Sequence, residues 1–302
     1  MKRLNIVIVN RSFAGSLGSY LKTSVDNRKA IFDGWRGVLL AAYVGRAPQP
    51  GLADNWHKTM IASLDHPAQR LWLLLLLVLW AILLFGGFLL GSSKEEGRRI
   101  PKWMRLSSSA VLVAAGWSWY LFVRESVVGI YAGLIAPGMT FGFVGDLFIA
   151  GVLVKSGGKI GGIAGFALGH VCYIVGIFWL LGFAPGRPVT GALLLWWLIA
   201  MAGWYFIVFR GATVTRLRWL VLPYALLLAT TAGAATGLAL EVPAFWLLVL
   251  GAALFLLSDM ILGGEWFNDL QLPYIHDVVW LTYGPGQMLI VYSIGIAYSV
   301  VN

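Results

Sequence analysis

Residues 71–91 read LWLLLLLVLWAILLFGGFLLG, an unbroken apolar stretch without a charged side chain. Because about 20 apolar residues of α-helix cross the hydrocarbon core of a bilayer, this stretch predicts a membrane-spanning helix. The whole chain has the same character: of its 302 residues, 59% are hydrophobic and 12% are Asp, Glu, Lys or Arg. Soluble domains carry about 25% of these charged residues. The composition therefore excludes a soluble globular protein and predicts an integral membrane protein.

Seven further apolar segments follow the first, separated by short polar breaks such as the one at residues 155–159. Their residues are continuously apolar and do not alternate with period two, which excludes a transmembrane β-barrel. We predict an all-α, polytopic membrane bundle of eight transmembrane helices within residues 71–302, with short loops between antiparallel neighbours. The predicted spans are 71–91, 107–123, 127–154, 160–182, 190–209, 217–240, 243–263 and 278–300.

Residues 1–70 form a basic N-terminal extension that differs from the rest of the chain. They contain ten Lys or Arg residues and four Asp residues, for a net charge of +6. Residues 28–44 place apolar side chains at helical spacing, which favours an amphipathic helix on the lipid surface. The composition is equally typical of a loosely ordered basic tail. We therefore predict a segment outside the membrane and leave both interpretations open.

The loops on the side of the membrane opposite the tail, which we name side B, contain ten Lys or Arg residues. The tail lies on side A. Short loops rich in Lys and Arg usually stay in the cytoplasm, so side B is predicted to be cytoplasmic. The basic tail favours the opposite orientation, because a positive segment of 70 residues is hard to export. We expect the cell membrane of a prokaryote as the location. Because topology explains this charge bias, it predicts no nucleic-acid partner.

Two of the thirteen acidic residues, Asp146 and Asp259, lie inside predicted spans. Charged groups at bilayer depth cost roughly 2.5–3.5 kcal/mol on insertion scales and usually mark function. Both residues lie past the midpoint of helices that run from side A to side B, so their depths match. Tyr283 and Gln287, four residues apart on the last helix, fall near the same depth. The other eleven acids lie in the tail, in loops or at helix ends, where we expect water to reach them.

Small residues share the helix faces that carry the two acids. On the third span, successive intervals of four residues separate Gly138, Gly142 and Asp146, and Gly251 lies on the face of Asp259. Such residues let helices approach closely or leave space for a substrate chain. The alternative interpretation is structural: each Asp would cap a backbone break or form a hydrogen bond that holds two helices together.

His170 is the one histidine inside a predicted span. It is either a hydrogen-bonded core residue or part of the site. Gly161, Gly165 and Gly169 precede it at four-residue spacing, which indicates close helix packing. The other histidines lie in the tail or in a loop, so three converging His ligands for zinc are not expected. We predict neither a metal nor another cofactor.

Four short motifs, in this order, resemble the YhhN family of membrane proteins. They are the run from Gly133 to Leu147 that ends in Gly145-Asp146-Leu147, the run from Gly165 to Ile174 that contains His170 and Tyr173, the run from Gly251 to Asp259, and the pair Tyr283 and Gln287. The family includes lysoplasmalogenases, which hydrolyse the vinyl ether of a lysoplasmalogen to a fatty aldehyde and a glycerophospho-base. The resemblance, which covers roughly residues 75–302, implies a lysophospholipid substrate. It also implies that Asp146 and Asp259 are the paired intramembrane acids.

The chemistry of that reaction fits two buried carboxyls. A vinyl ether is stable to base and sensitive to acid, because hydrolysis starts with a proton on the alkene carbon and gives an oxocarbenium ion. Two acids in one low-dielectric pocket tend to divide into one neutral and one ionised group. The residues leave open which Asp takes which role; our working assignment is Asp259 as the acid and Asp146 as the base. The side chains expected to position water or substrate are Tyr283, Gln287, His170, Tyr173 and Ser258.

Paired intramembrane Asp residues also relay protons, so a small proton-coupled transporter is the alternative function. Transporters often contain inverted repeats and helices broken near the midplane. The sequence shows no clear repeat, although the matched placement of Asp146 and Asp259 hints at one, and Pro137 is a candidate break in the third helix. The leading hypothesis is a metal-independent membrane hydrolase.

Overall fold

The computed structural model describes most of the predicted membrane domain. The amphipathic helix suggested for residues 28–44 lies outside the described part of the chain. The described residues are 61, 64, 66–92, 98–155, 157–182, 189–210, 216–268 and 270–301.

Eight helices in these residues are long and apolar enough to cross a membrane, which confirms the predicted all-α bundle. Short connections join them, so successive helices cross in opposite directions. The C-terminal ends of α1, α3, α5 and α7 lie on side B. The helices are α1 Pro67–Leu90, α2 Lys102–Val123, α3 Gly129–Ile149, α4 Gly158–Leu181, α5 Val189–Phe209, α6 Leu217–Glu241, α7 Pro243–Asn268 and α8 Ile275–Val301.

Helix boundaries on side B differ from the predicted ones. The third span was predicted to reach residue 154, but α3 ends at Ile149. Gly151 and Gly157 then adopt left-handed backbone conformations, with φ of +67° and +76°. Glycine adopts this conformation without steric cost, so the chain turns there and cannot continue as a helix.

The helices α7 and α8 extend into the segment predicted as the last side-B loop. Helix α7 continues to Asn268 and α8 begins at Ile275. Glu265 and His276 therefore project from helix ends that face each other, with 3.2 Å between a carboxylate oxygen of Glu265 and Nε2 of His276.

Asp277 corrects the expectation that the remaining acids are reached by water, because it is only 1% exposed. Its carboxylate accepts the backbone N–H of Arg99 at 2.6 Å and that of Ile100 at 2.9 Å. These two bonds replace the hydration that the carboxylate loses on burial. They also hold the segment that precedes α2 against the start of α8, and so fix where Lys102 begins α2.

Glycine contacts bring α3 and α4 close together. A methyl group at Gly165 would stand 2.9 Å from Cα of Gly145, and one at Gly169 would stand 2.8 Å from the carbonyl oxygen of Gly138. This confirms that the glycine spacing on the fourth helix serves helix packing. Pro137 lies inside α3 and does not interrupt it, so the break considered there is absent.

The side-A half of the bundle is filled by large side chains. The rings of Trp119 and Tyr292 pack edge to face, with centroids 6.1 Å apart. Two tyrosine hydroxyl groups here are paired within the protein: the Tyr131 hydroxyl lies 2.6 Å from Oγ of Ser293, and Tyr292 donates to the Leu73 carbonyl at 2.7 Å. This half therefore forms a packed core with its hydroxyl groups satisfied.

Candidate active site

Asp146 lies near the side-B end of α3 and is 5% exposed. Its Oδ2 atom accepts two hydrogen bonds, one from the Ser109 hydroxyl on α2 and one from the Tyr283 hydroxyl on α8 at 2.9 Å. Three helices thus converge on one carboxylate oxygen. Because the two donors fix the orientation of the carboxyl, it is held in place before any substrate binds.

A chain of hydrogen bonds leads from the centre of the bundle to Asp146. The Tyr173 hydroxyl donates to Oε1 of Gln287 at 2.8 Å, and Nε2 of Gln287 donates to the Tyr283 hydroxyl at 3.4 Å. Gly142 leaves room for this amide, since a methyl group there would stand 2.8 Å from Nε2 of Gln287. The chain orients the Tyr283 hydroxyl so that its own proton points toward Asp146.

Asp259 lies at a similar depth on α7. The Tyr224 hydroxyl on α6 donates to its Oδ2, and the Ser258 hydroxyl lies 3.3 Å from its Oδ1. Ser258 also donates to the Phe255 carbonyl at 2.9 Å. Each intramembrane acid therefore accepts a hydrogen bond from a tyrosine on another helix.

Asp146 and Asp259 line a single cavity of about 620 Å³. This volume lies within the range of small-molecule binding sites. Tyr283 and Ser258 line it as well, so four of the residues predicted for the site meet in one space. The other lining residues are Arg98, Lys102, Arg105, Leu106, Ile149, Ala150, Lys159, Phe166, Leu262, Glu265, Trp266, His276, Val279 and Trp280.

The mouth of this cavity on side B is strongly basic. Four cations line it, on the segment before α2, on α2 and at the start of α4; we name them the basic rim. Two are held over aromatic rings: Arg105 lies 5.6 Å from the ring centroid of Trp280, and Lys159 lies 4.6 Å from that of Trp266. This rim can bind an anionic group, since its four cations outnumber Glu265, the one acid among the mouth residues. The basic rim consists of Arg98, Lys102, Arg105 and Lys159.

His170 lies deeper in the bundle and does not line the cavity. Its Nδ1 atom lies 2.8 Å from the Thr231 hydroxyl, and its ring packs edge to face on Phe255 with centroids 4.5 Å apart. Tyr173 also lies behind the cavity and reaches it through Gln287. The structure therefore divides the predicted residues into those that face the cavity and those that support it.

Sequence reasoning missed Ser109, Tyr224 and the basic rim. Ser109 and Tyr224 fall inside predicted spans, where hydroxyl side chains are common, and no spacing rule links them to the acids. Among the described residues, no three His, Cys, Asp or Glu side chains converge closely enough to hold a metal ion. The side chains that donate hydrogen bonds to the two acids all do so through hydroxyl groups.

Fold and site together define a polytopic helical membrane protein with two intramembrane carboxyls, one buried and one partly exposed, in one basic-mouthed cavity. The family model that matches the chain is that of the YhhN family, over residues 102–294. The chain belongs to the YhhN family. The match spans α2 through most of α8 and includes both acids, Tyr283 and Gln287. No curated protein and no solved structure matches the chain.

Proposed function

We propose that this protein is a lysoplasmalogenase, a membrane hydrolase that cleaves the vinyl ether of a lysoplasmalogen. The observation that carries the proposal is the shared cavity, in which Asp146 and Asp259 lie beneath a basic rim. A lysoplasmalogen has an anionic phosphate, an acid-sensitive vinyl ether and an apolar chain. The cavity offers a cationic mouth and a pair of carboxyls in the same order from side B inward.

In the proposed reaction, the protonated Asp259 transfers its proton to the alkene carbon next to the ether-linked carbon. The ether carbon becomes an oxocarbenium ion, and the Asp146 carboxylate stabilises this cation. Asp146 then accepts a proton from water as the water oxygen bonds to the cationic carbon. The resulting hemiacetal then collapses: Asp146 returns its proton to the glycerol oxygen, which leaves as an alcohol, and Asp259 takes the proton of the hemiacetal hydroxyl, so both acids regain their starting states. The products are a fatty aldehyde and a glycerophospho-base, and one water molecule is consumed.

The remaining site residues would position the reactants. Tyr283 and Ser258 face the cavity and are placed to orient water or the glycerol hydroxyl groups. Gln287 and Tyr173 hold Tyr283 through the hydrogen-bond chain. In this scheme His170 supports the site through its contact with Phe255. The reaction needs no metal or other cofactor.

The basic rim would bind the phosphate of the headgroup. At a helix rise of about 1.5 Å per residue, Asp259 lies about 9 Å further into the membrane than Glu265 at the mouth. A glycerol backbone spans a distance of this order, so a phosphate on the rim would place the vinyl ether beside the acids. The proposal includes the location expected from the sequence, the cell membrane of a prokaryote.

A proton-coupled transporter would need a polar path through both halves of the bundle. The lining of the cavity lies in the side-B half, whereas buried Trp119, Tyr131 and Tyr292 fill the side-A half. Helix α3 also continues through Pro137 without a break. These observations favour a hydrolase with one opening over a transporter.

The test is incubation of purified protein with a lysoplasmenyl-ethanolamine or lysoplasmenyl-choline lipid, followed by measurement of the released aldehyde. We expect release by the wild type and a loss of at least about 100-fold in Asp146→Asn and in Asp259→Asn, because each change removes a proton-transfer group. Tyr131→Phe serves as the control variant, since Tyr131 lies in the side-A core. A wild type that releases no aldehyde from any vinyl-ether lipid would overturn the proposal.

A further inference from the structure

A second space adjoins Asp259 on the side away from the basic rim. It is an apolar groove of about 40 Å³ between α5, α6 and α7, and Asp259 belongs both to it and to the larger cavity. We name it the chain groove. Its lining residues are Ala200, Gly203, Trp204, Ile207, Val208, Val221, Tyr224, Ala225, Leu228, Leu256, Asp259, Met260 and Gly263.

The chain groove extends from the acids toward the middle of the bundle. Its deepest lining residues are Ala200, Leu228 and Leu256. Leu228 lies seven residues beyond Val221 on α6, so the groove runs about 10 Å along the helix axes. The basic rim, the two acids and the groove therefore follow one another from side B inward. A single-chain lipid in the side-B leaflet presents its phosphate, its ether linkage and its hydrocarbon in the same order.

Another small space beside Asp259 does not extend toward the middle of the bundle. It is about 30 Å³ and is lined by residues at the side-B ends of the helices, including Ile149, Trp266 and Phe267. A chain directed there would remain at the level of the headgroup. The chain groove is the adjoining space that leads away from water, so it is the one that suits a hydrocarbon chain.

Helix α5 separates the chain groove from lipid. Ala200 and Val208 face inward and are buried, whereas Leu198 and Phe206 are 65% and 56% exposed on the outer surface of the bundle. The inner surface of α5 meets Met260 at Gly203, where an added methyl group would stand 2.6 Å from Cε of Met260. The end of one flexible side chain therefore narrows the groove beside Asp259.

We propose that the chain groove binds the hydrocarbon chain of the lipid and that Met260 and Gly203 determine which chains it accepts. This inference rests on the proposed function, because it names the chain-binding part of the same site. The Met260 side chain rotates about three single bonds and can move aside as a chain enters. A smaller residue at 260 would widen the groove, and a larger residue at 203 would block it.

The test compares lysophospholipids whose chains run from 10 to 18 carbons, in detergent solution. Aldehyde release is measured with vinyl-ether lipids, and binding is measured with the saturated ether analogues, which have no double bond to protonate. For Met260→Ala, we expect the ratio of kcat/KM for the longest chain to that for the shortest to rise about tenfold, the usual effect of reshaping an apolar pocket by a few carbons. For Gly203→Leu, the same ratio should fall about tenfold, and the binding constants should follow both trends.

Two variants on α5 serve as matched controls. Met201→Ala removes a thioether that is 51% exposed on the outer surface, and Gly191→Leu adds a side chain where nothing lies within 4 Å of the new Cβ. Both should keep the wild-type dependence on chain length. If Met260→Ala keeps it too in the binding measurement, the groove does not hold the chain. If binding follows the expected trends while no protein releases aldehyde, the groove is supported and the proposed hydrolysis is wrong.

Discussion

Two pairs of residues join α3 to α8, one in each half of the bundle. In the side-A half, the Tyr131 hydroxyl on α3 lies 2.6 Å from the Ser293 hydroxyl on α8. In the side-B half, the Tyr283 hydroxyl on α8 donates to the Asp146 carboxylate on α3 at 2.9 Å. The side-A pair is neutral and is enclosed by the core. The side-B pair contains a carboxyl group and borders a cavity.

The difference shows what burial of polar groups accomplishes in each half. The hydroxyl pair is surrounded by packed aromatic side chains and serves stability. The carboxyl pair also joins two helices, but it lies beside about 620 Å³ of space. A charged carboxyl at bilayer depth costs free energy and usually marks a functional site, and this half contains both acids, the basic rim and the chain groove. We therefore expect the side-A pair to serve stability and the side-B pair to serve the proposed reaction.

Substitution of Tyr283 and of Tyr131 should give the largest difference in catalytic efficiency between the two halves. Tyr283→Phe removes the donor to Asp146 and should lower kcat/KM for vinyl-ether hydrolysis roughly 30-fold, the usual effect of losing a hydrogen bond to a charged group. Tyr131→Phe removes the equivalent hydroxyl in the side-A half and should leave kcat/KM within about twofold of the wild type. Steady-state kinetics on both purified variants measure the contrast. Equal losses in the two variants would contradict the division of the bundle.

Substitution of a cation in the basic rim is expected to give the next largest effect on kinetics. This effect should be confined to KM, because the rim is proposed to bind substrate. Lys102→Gln should raise KM for a phosphate-bearing lipid about tenfold, equivalent to about 1.4 kcal/mol, and leave kcat nearly unchanged. Added salt should reduce this difference, because ions screen exposed charges. Lys155→Gln, on an exposed side-B loop outside the cavity lining, is the control. A fall in kcat with KM unchanged would exclude phosphate binding by the rim.

A smaller effect on activity is expected from the hydrogen-bond chain behind Tyr283. Gly142→Ala places a methyl group 2.8 Å from Nε2 of Gln287, so the amide must shift away from the Tyr283 hydroxyl. We expect kcat to fall about fivefold, since loss of one neutral hydrogen bond costs about 1 kcal/mol. Gly191→Ala, where nothing lies within 4 Å of the new Cβ, should have no effect. Wild-type kcat in Gly142→Ala would show that the chain does not position Tyr283.

The smallest expected change is in the free energy of unfolding, with catalytic activity retained. Tyr131→Phe leaves the Ser293 hydroxyl without its side-chain partner, so the free energy of unfolding should fall by about 1 kcal/mol. Thermal or denaturant unfolding in detergent measures this, with Tyr120→Phe as a comparison at a partly buried tyrosine beside the same core. An unchanged free energy of unfolding would mean that the side-A pair contributes nothing to stability.

The fold and the two acids were predictable from the sequence because both follow from one physical rule. Apolar runs of helical length identify the spans, and a carboxyl inside such a run conflicts with its surroundings, which singles out Asp146 and Asp259. Tyr283 and Gln287 followed from their depth and their spacing of four residues. These inferences need only the position of a residue along its own helix.

The remaining parts of the site depend on how helices are arranged around one another. Tyr224 on α6 precedes Asp259 on α7 by 35 residues in the chain. Helical periodicity describes one helix at a time, so it does not predict this contact between two helices. The basic rim was not predicted for another reason. Lys and Arg are common in the cytoplasmic loops of membrane proteins, so membrane topology alone explains their presence. Asp277 was misjudged because its partners are backbone N–H groups of the segment before α2.

In the proposed reaction, the cavity protonates the alkene carbon of a vinyl ether. Hydrolysis in D2O reveals this step, because exchangeable carboxyl protons are then replaced by deuterium. Mass spectrometry of the aldehyde, trapped as it forms, should show one deuterium on the carbon next to the carbonyl, and Asp259→Asn should yield none of this product. Aldehyde released by the wild type without deuterium at that carbon would show that the enzyme does not protonate the alkene carbon.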